Sequence, residues 1–184
     1  MPEAPRQRPE PELLYRLMVW EYAIEDALGI GGLKDNLKLI PVASGMRVVD
    51  WGCGPGRYSL PLAKAVGPRG KVYALDVQPL AIRIVREKAR KQGLGNVEAQ
   101  VIDGYRAPVD STSIDLVLVL HALHAIADRE RLLREVHRIL KSGGALLIDP
   151  GHLSAATAKE TIERTGLYAL RQSWGKIWLF GPVK

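Results

Sequence analysis

The chain has 184 residues, 47% of them hydrophobic, and a net charge of +6 with a pI near 9.5. This length and apolar content suit one domain with a substantial core, while the positive charge bears on association with anionic partners, nucleic acid among them, and not on fold. No run approaches the roughly 20 uninterrupted apolar residues of a membrane helix, and the start "MPEAPRQRPEPE" lacks the apolar segment of a secretory signal, so a cytoplasmic protein without a membrane span is expected.

Residues 1–11 carry four prolines among charges and predict a disordered or extended tail. Over 12–29, Leu13, Leu17, Trp20, Ile24 and Leu28 recur at helical spacing before Gly29, which predicts an amphipathic helix that packs its apolar stripe on the body. A short helix over 33–39 ends before Pro41. From there strands and helices alternate: strand 46–51, helix 58–66, strand 71–77, helix 79–93, strand 97–103, strand 114–121, helix 128–144 and strand 145–149. A helix over 154–165 follows, and "LYALRQSW" and "IWLFG" read as two strands joined by the tight turn Gly175-Lys176.

Runs of Val, Ile and Leu without strict alternation are buried on both faces, and helices between them imply parallel pairing. The expected fold is a doubly wound, Rossmann-like α/β sheet in three αβα layers, mostly parallel and closed by a C-terminal antiparallel hairpin strand. Residues 12–184 form one domain in this reading, with 12–40 as a helical cover.

The segment "VVDWGCGPGRYSLP" (48–61) leaves a strand, turns on Gly52, Gly54 and Gly56, and enters a helix. A pyrophosphate cradle of the G-x-G-x-x-G type would place its third glycine where Arg57 stands, and Pro55 removes a backbone donor from the loop. A ligand carrying an ammonium and a sulfonium suits this turn better, with Asp50 at the strand end as its carboxylate. Asp76 ends the second strand twenty positions after Gly56, the spacing at which an acid accepts from two ribose hydroxyls. Asp103 ends the third strand in "VIDG", beside the place for an exocyclic amine. Each acid alone also reads as the cap of a turn; three at adjacent strand ends describe a nucleoside with an amino-acid tail.

At these residues the chain resembles the class I S-adenosylmethionine-dependent methyltransferases. "VVDWGCGPG" is similar to the family's first motif, "YALDV" to its ribose-binding acid, "VIDG" to its adenine-contacting acid, "DSTSIDLVLVLHALH" to its fourth-strand motif, and "LLREVHRILKSGGALLI" to the helix and fifth strand that follow. The resemblance runs from about Arg47 to Asp149. It implies methyl transfer, and S-adenosylmethionine held by Asp50, Gly52, Gly54, Gly56, Asp76, Val77, Asp103, Gly104 and His121.

Methyl transfer from a sulfonium chiefly requires alignment of the acceptor. Where the acceptor's proton must leave, His121 and His124 after the fourth strand and His152 after the fifth are the candidate bases; the alternatives are that His124 packs under its loop and that His152 caps the next helix. A metal site built from these three is not expected. His137, among charges on a helix, needs only a solvated role. Cys53, the single cysteine, is read as a small buried residue without a nucleophilic part and agrees with a reducing compartment.

The family's enzymes that methylate bases in nucleic acid resemble one another in an Asn/Asp-Pro-Pro-aromatic turn where this chain reads "HALH", and cytosine-carbon and arsenic methylation call for thiols that this chain lacks beyond Cys53. The remaining resemblance is to small-molecule methyltransferases of the quinone and lipid type, in which Tyr15, Trp20 and Tyr22 would line an apolar acceptor site. Ordinary packing of the helix is the alternative for those aromatics. An RNA-directed enzyme and a cofactor-binding protein without catalysis remain the other functional readings, and the oligomeric state is left open.

Overall fold

A computed structural model describes residues 9–30 and 32–183. The tail expected over 1–11 therefore lies for the most part outside the described residues. The elements, in chain order, are α1 (Glu12–Leu28), α2 (Leu33–Leu39), β1 (Arg47–Trp51), α3 (Ser59–Val66), β2 (Lys71–Asp76), α4 (Pro79–Lys91), β3 (Val97–Val101), β4 (Ile114–Val119), α5 (Arg129–Ile139), β5 (Leu140–Ile148), α6 (Ala155–Glu163), β6 (Tyr168–Trp174) and β7 (Ile177–Pro182). The seven strands form one sheet in the order β3-β2-β1-β4-β5-β7-β6. The pairs among β1 to β5 are parallel, and β7 runs antiparallel to both β5 and β6. This is the Rossmann-like sheet with a reversed terminal hairpin that the alternating pattern predicts.

The central strands read as unbroken apolar runs because each face meets a helical layer. Val48 and Val72 with Leu116, Leu118 and Leu147 face α3, while Val49, Val117, Val119, Leu146 and Ile148 face α5 and α6. All ten are buried, and full burial of such side chains contributes about 1.5–3 kcal/mol each. The strand order reverses direction between β1 and β4, so the loops leaving these two strands diverge to opposite faces and open a crevice at the carboxyl edge.

Several boundaries differ from the sequence expectation. The helix expected to 144 ends at Ile139, since Leu140 turns extended and pairs with Ile114 before a register shift carries the strand to Ala145. β3 stops at Val101, and Asp103 lies in the loop beyond, its Oδ1 accepting from the N–H groups of Tyr105 and Arg106. β4 stops at Val119, and His121 takes a left-handed conformation (φ 55°).

The largest correction concerns α1. Its stripe of Leu13, Leu17, Trp20, Ile24 and Leu28 points to solvent, each residue being 39–71% exposed. The opposite face docks: Tyr15 is buried against Leu80 and Ala81 of α4, with Met18 and Val19 beside it. Polar geometry fixes this choice. The Arg57 guanidinium donates to Asp26 Oδ1 at 2.6 Å, sits 3.5 Å from Glu25 and lies 4.4 Å over the ring of Tyr22, so the acidic and aromatic side of α1 is drawn to the body. No helix among the described residues is long and apolar enough to cross a membrane.

Candidate functional site

The three glycines of the turn after β1 all have positive φ, at 74°, 52° and 83°, yet they meet different surroundings. A Cβ on Gly52 would stand 2.7 Å from the Cβ of Ala122, so this glycine lets the loop after β4 press against the turn. A Cβ on Gly56 would meet Val85 at 3.1 Å and Leu60 at 3.4 Å; this glycine lets α4 and α3 close up. Gly54 alone faces outward, with only the Tyr15 hydroxyl near its Cβ position, at 3.8 Å.

Asp76, at the last position of β2, binds this turn directly. Its Oδ2 accepts from the Gly54 N–H at 2.9 Å and its Oδ1 from the Gln78 N–H at 2.8 Å. Burial raises its carboxyl above the usual range, and those backbone donors oppose the rise. By its lone pairs each carboxylate oxygen can accept more than one hydrogen bond. Gln78 caps α4 and, through its side-chain amide, holds the carbonyl of Glu10, so the chain entering α1 is tied to the same corner. Val77 and Gly104 lie next to the two acids in these turns.

Asp50 sits beneath the turn and not on its surface. It is 2% exposed, and its Oδ2 accepts from the Ser59 hydroxyl at 2.5 Å. Burial pushes its pKa up from 3.8 to about 6, with the nearby Asp76 charge adding to the rise. A folded pKa above the unfolded value means that Asp50 stabilises most below about pH 4 and loses that contribution as the pH climbs through about 6. The melting temperature of Asp50→Asn is accordingly expected to gain on that of the parent between about pH 4 and about pH 7; a gap that is flat or shrinks over this range, by differential scanning calorimetry, contradicts the assignment.

On the other side of the crevice, Asp149 follows β5 and organises the loop after β4. Its Oδ1 accepts from the backbone N–H groups of His121 and Gly151, each at 2.9 Å, and its Oδ2 lies 3.6 Å from His121 Nδ1. The His121 side chain is half exposed and stacks on Tyr58 at 6.5 Å between ring centroids. His124 meets His152 edge-on at 4.4 Å, and its buried Nδ1 has no hydrogen-bond partner. Burial lowers the His124 pKa. Gly151 is what makes room for this ring, because a Cβ there would collide with it. His152 does not cap the next helix; Ser154 does, its hydroxyl accepting from the Thr157 N–H.

Sequence reasoning passed over Asp149, which directly follows β5, and it read Tyr15 as acceptor-site lining or as ordinary helix packing. Tyr15 is 5% exposed, and its hydroxyl is buried without a partner over Gly54. Cys53 is buried and free, and burial pushes its thiol well up, against a nucleophilic part. The basic helices turn much of their charge inward or pair it: Arg86 donates to the Ala99 carbonyl, Lys88 to that of Pro55, and Arg134 and Arg138 pair with Glu130 and Glu135.

A family model described as a methyltransferase domain matches residues 43–178. A demethylmenaquinone methyltransferase of Geobacillus kaustophilus is 33% identical over 111 residues, which are 60% of this chain and 47% of that protein. One of Listeria welshimeri is 34% identical over 61% of this chain and 48% of its own length, so the chain spans about half the length of these curated relatives. Among solved structures, a SAM-dependent methyltransferase from Aquifex aeolicus is 28% identical with a TM-score of 0.70, over 82% of this chain and 87% of its own. A TehB-like SAM-dependent methyltransferase from Corynebacterium glutamicum, 20% identical, shares the fold with a TM-score of 0.72 over 94% of this chain and 100% of its own. With the turn after β1, the acid ending β2 and most of the chain under one family model, this protein belongs to the class I S-adenosylmethionine-dependent methyltransferases.

Proposed function

We propose that the chain is an enzyme that transfers a methyl group from S-adenosylmethionine to a small-molecule acceptor. One observation carries the reading: Asp76, with both oxygens still able to accept, is bonded to the outward-facing Gly54 directly beneath the buried, unpartnered hydroxyl of Tyr15. A buried hydroxyl left without a partner beside this turn is accounted for by a ligand that supplies one.

The residues fit that cofactor. Asp76 would accept from the ribose hydroxyls, the face of Gly54 would lie against the amino-acid end, and Tyr15 would supply a hydrogen bond to a polar group there. Asp103 and Gly104 would lie on the side of the base, and the buried carboxylate of Asp50 would favour a cation above the turn. The bound cofactor supplies an activated methyl group on sulfur. On the acceptor side, Asp149 holds the backbone of His121 and its carboxylate faces Nδ1, which leaves Nε2 as the atom to take a proton from an acceptor. His124 and His152, in edge-on contact with each other, are further candidates, and burial lowers the His124 pKa, which favours its neutral form. The demethylmenaquinone named for the relatives is a quinone, which supports an apolar acceptor here. A single buried thiol suits the cytoplasm.

Calorimetric titration with S-adenosylmethionine tests the cofactor site through Tyr15→Phe. This variant should bind about ten times more weakly, the loss of one hydrogen bond, while its melting temperature holds or rises because an unsatisfied group has been removed. Parent-like affinity would remove Tyr15 from the site. Incubation with labelled donor and fractionated extract then reads the acceptor: label in small metabolites, reduced in His121→Ala, is expected, whereas label in RNA defeats the proposal.

A further inference from the structure

The outward stripe of α1 is unusual for a surface helix. Leu13 (71% exposed), Leu17 (58%), Trp20 (70%) and Ile24 (39%) stand in water on a helix whose other side is already docked. Solvent gives no reason for four large apolar groups to share one line. Their spacing of four, three and four is that of a helix seam that meets another helix, with Leu17 and Ile24 at one core position and Leu13 and Trp20 at the other.

The flanks say which helix. Arg16 borders the stripe on one side and Glu21 on the other, five residues apart, and this offset brings the two opposite each other when identical helices pair in parallel. Glu21 is exposed and has no ion pair within the chain among the described residues; Arg16 is exposed and shares Glu12 with Arg83. The next pair at the same offset, Ala23 and Leu28, is apolar on both sides. Charge thus meets opposite charge and methyl meets methyl along both edges.

We propose that α1 is the interface of a homodimer, two copies of this chain pairing their first helices in parallel, with Arg16 of one copy against Glu21 of the partner subunit. A two-fold axis along the helices forms each contact twice, as a self-complementary interface requires. Because the buried face of α1 carries Tyr15 and the stripe lies opposite, the dimer forms without disturbing the crevice.

Sedimentation velocity of the full chain over a concentration series up to about 100 µM tests this. The expected result is a species of twice 20.3 kDa that Leu17→Glu converts to monomer with no change in circular dichroism. Arg16→Glu and Glu21→Arg each place two like charges in contact and should weaken dimerisation about tenfold, and the double variant should restore it. A chain monomeric throughout overturns the proposal. So does a dimer indifferent to Leu17→Glu, a pair of charge reversals that the double variant fails to rescue, or a monomer that co-floats with lipid vesicles through the same stripe.

Discussion

Asp76→Ala is expected to weaken S-adenosylmethionine binding by about two to four orders of magnitude, since two hydrogen bonds to a charged acceptor are worth about 1.5–3 kcal/mol each. The damage should extend to the unliganded protein. Asp76 is the partner of the Gly54 and Gln78 N–H groups, and each donor orphaned in a part-buried corner costs about 1–3 kcal/mol. Asp76→Asn separates the two effects. Its carbonyl oxygen still takes one backbone donor, while its amide cannot accept, so the melting temperature should fall less than in the alanine variant and affinity should still drop at least about tenfold. Calorimetry that finds both variants binding like the parent would break the assignment of the ribose site.

Gly52→Ala should unfold the site from within. The added methyl would lie 2.7 Å from the Cβ of Ala122, where no real contact occurs, and the residue would hold a φ of 74° that disfavours a side chain. Left-handed strain costs about 1–3 kcal/mol and overpacking another 1–3, a large share of the 5–15 kcal/mol typical of a whole domain. Relief lies in moving the loop after β4, which carries Ala122 and, next to it, His121. Denaturant titration should therefore show a loss of about 2–6 kcal/mol, and the stacking of His121 on Tyr58 should be lost. Gly54→Ala is the contrast. Its φ strain is similar, but no packing is displaced, so its stability loss should be clearly smaller while cofactor binding suffers. Equal losses in the two variants would mean that the glycines do not divide their roles as the geometry indicates.

Much of this site is local in origin and was readable as such. A strand that ends in an acid, a turn that needs positive φ, and a helix that follows it are each written in a few consecutive positions. Asp50 and Asp76 could be placed at adjacent strand ends before any coordinate was known, whereas Asp103, expected at a third, lies two residues past the end of β3. Their separate duties could not be placed in that way. Asp50 went under the turn because Ser59 meets it there, Asp103 is engaged by its own loop's N–H groups, and Asp76 alone reaches Gly54. Asp149 escaped notice because its partner, the backbone of His121, is 28 residues away in the loop after another strand.

By itself the sequence determined the order of strands and helices, the parallel sheet, the reversed hairpin and the carboxyl edge to which the glycine turn and its acids are brought, since period, spacing and turn chemistry act over a few residues. The tertiary structure alone decided which side of α1 is buried. Periodicity shows that Leu13, Leu17, Trp20 and Ile24 share a line, but what lies against a line depends on surfaces brought together from elsewhere in the chain. Here Arg57 holds Asp26, Glu25 and Tyr22, and Leu80 and Ala81 receive Tyr15. Those long-range contacts turned the apolar stripe outward and set an unpartnered hydroxyl over the glycine turn.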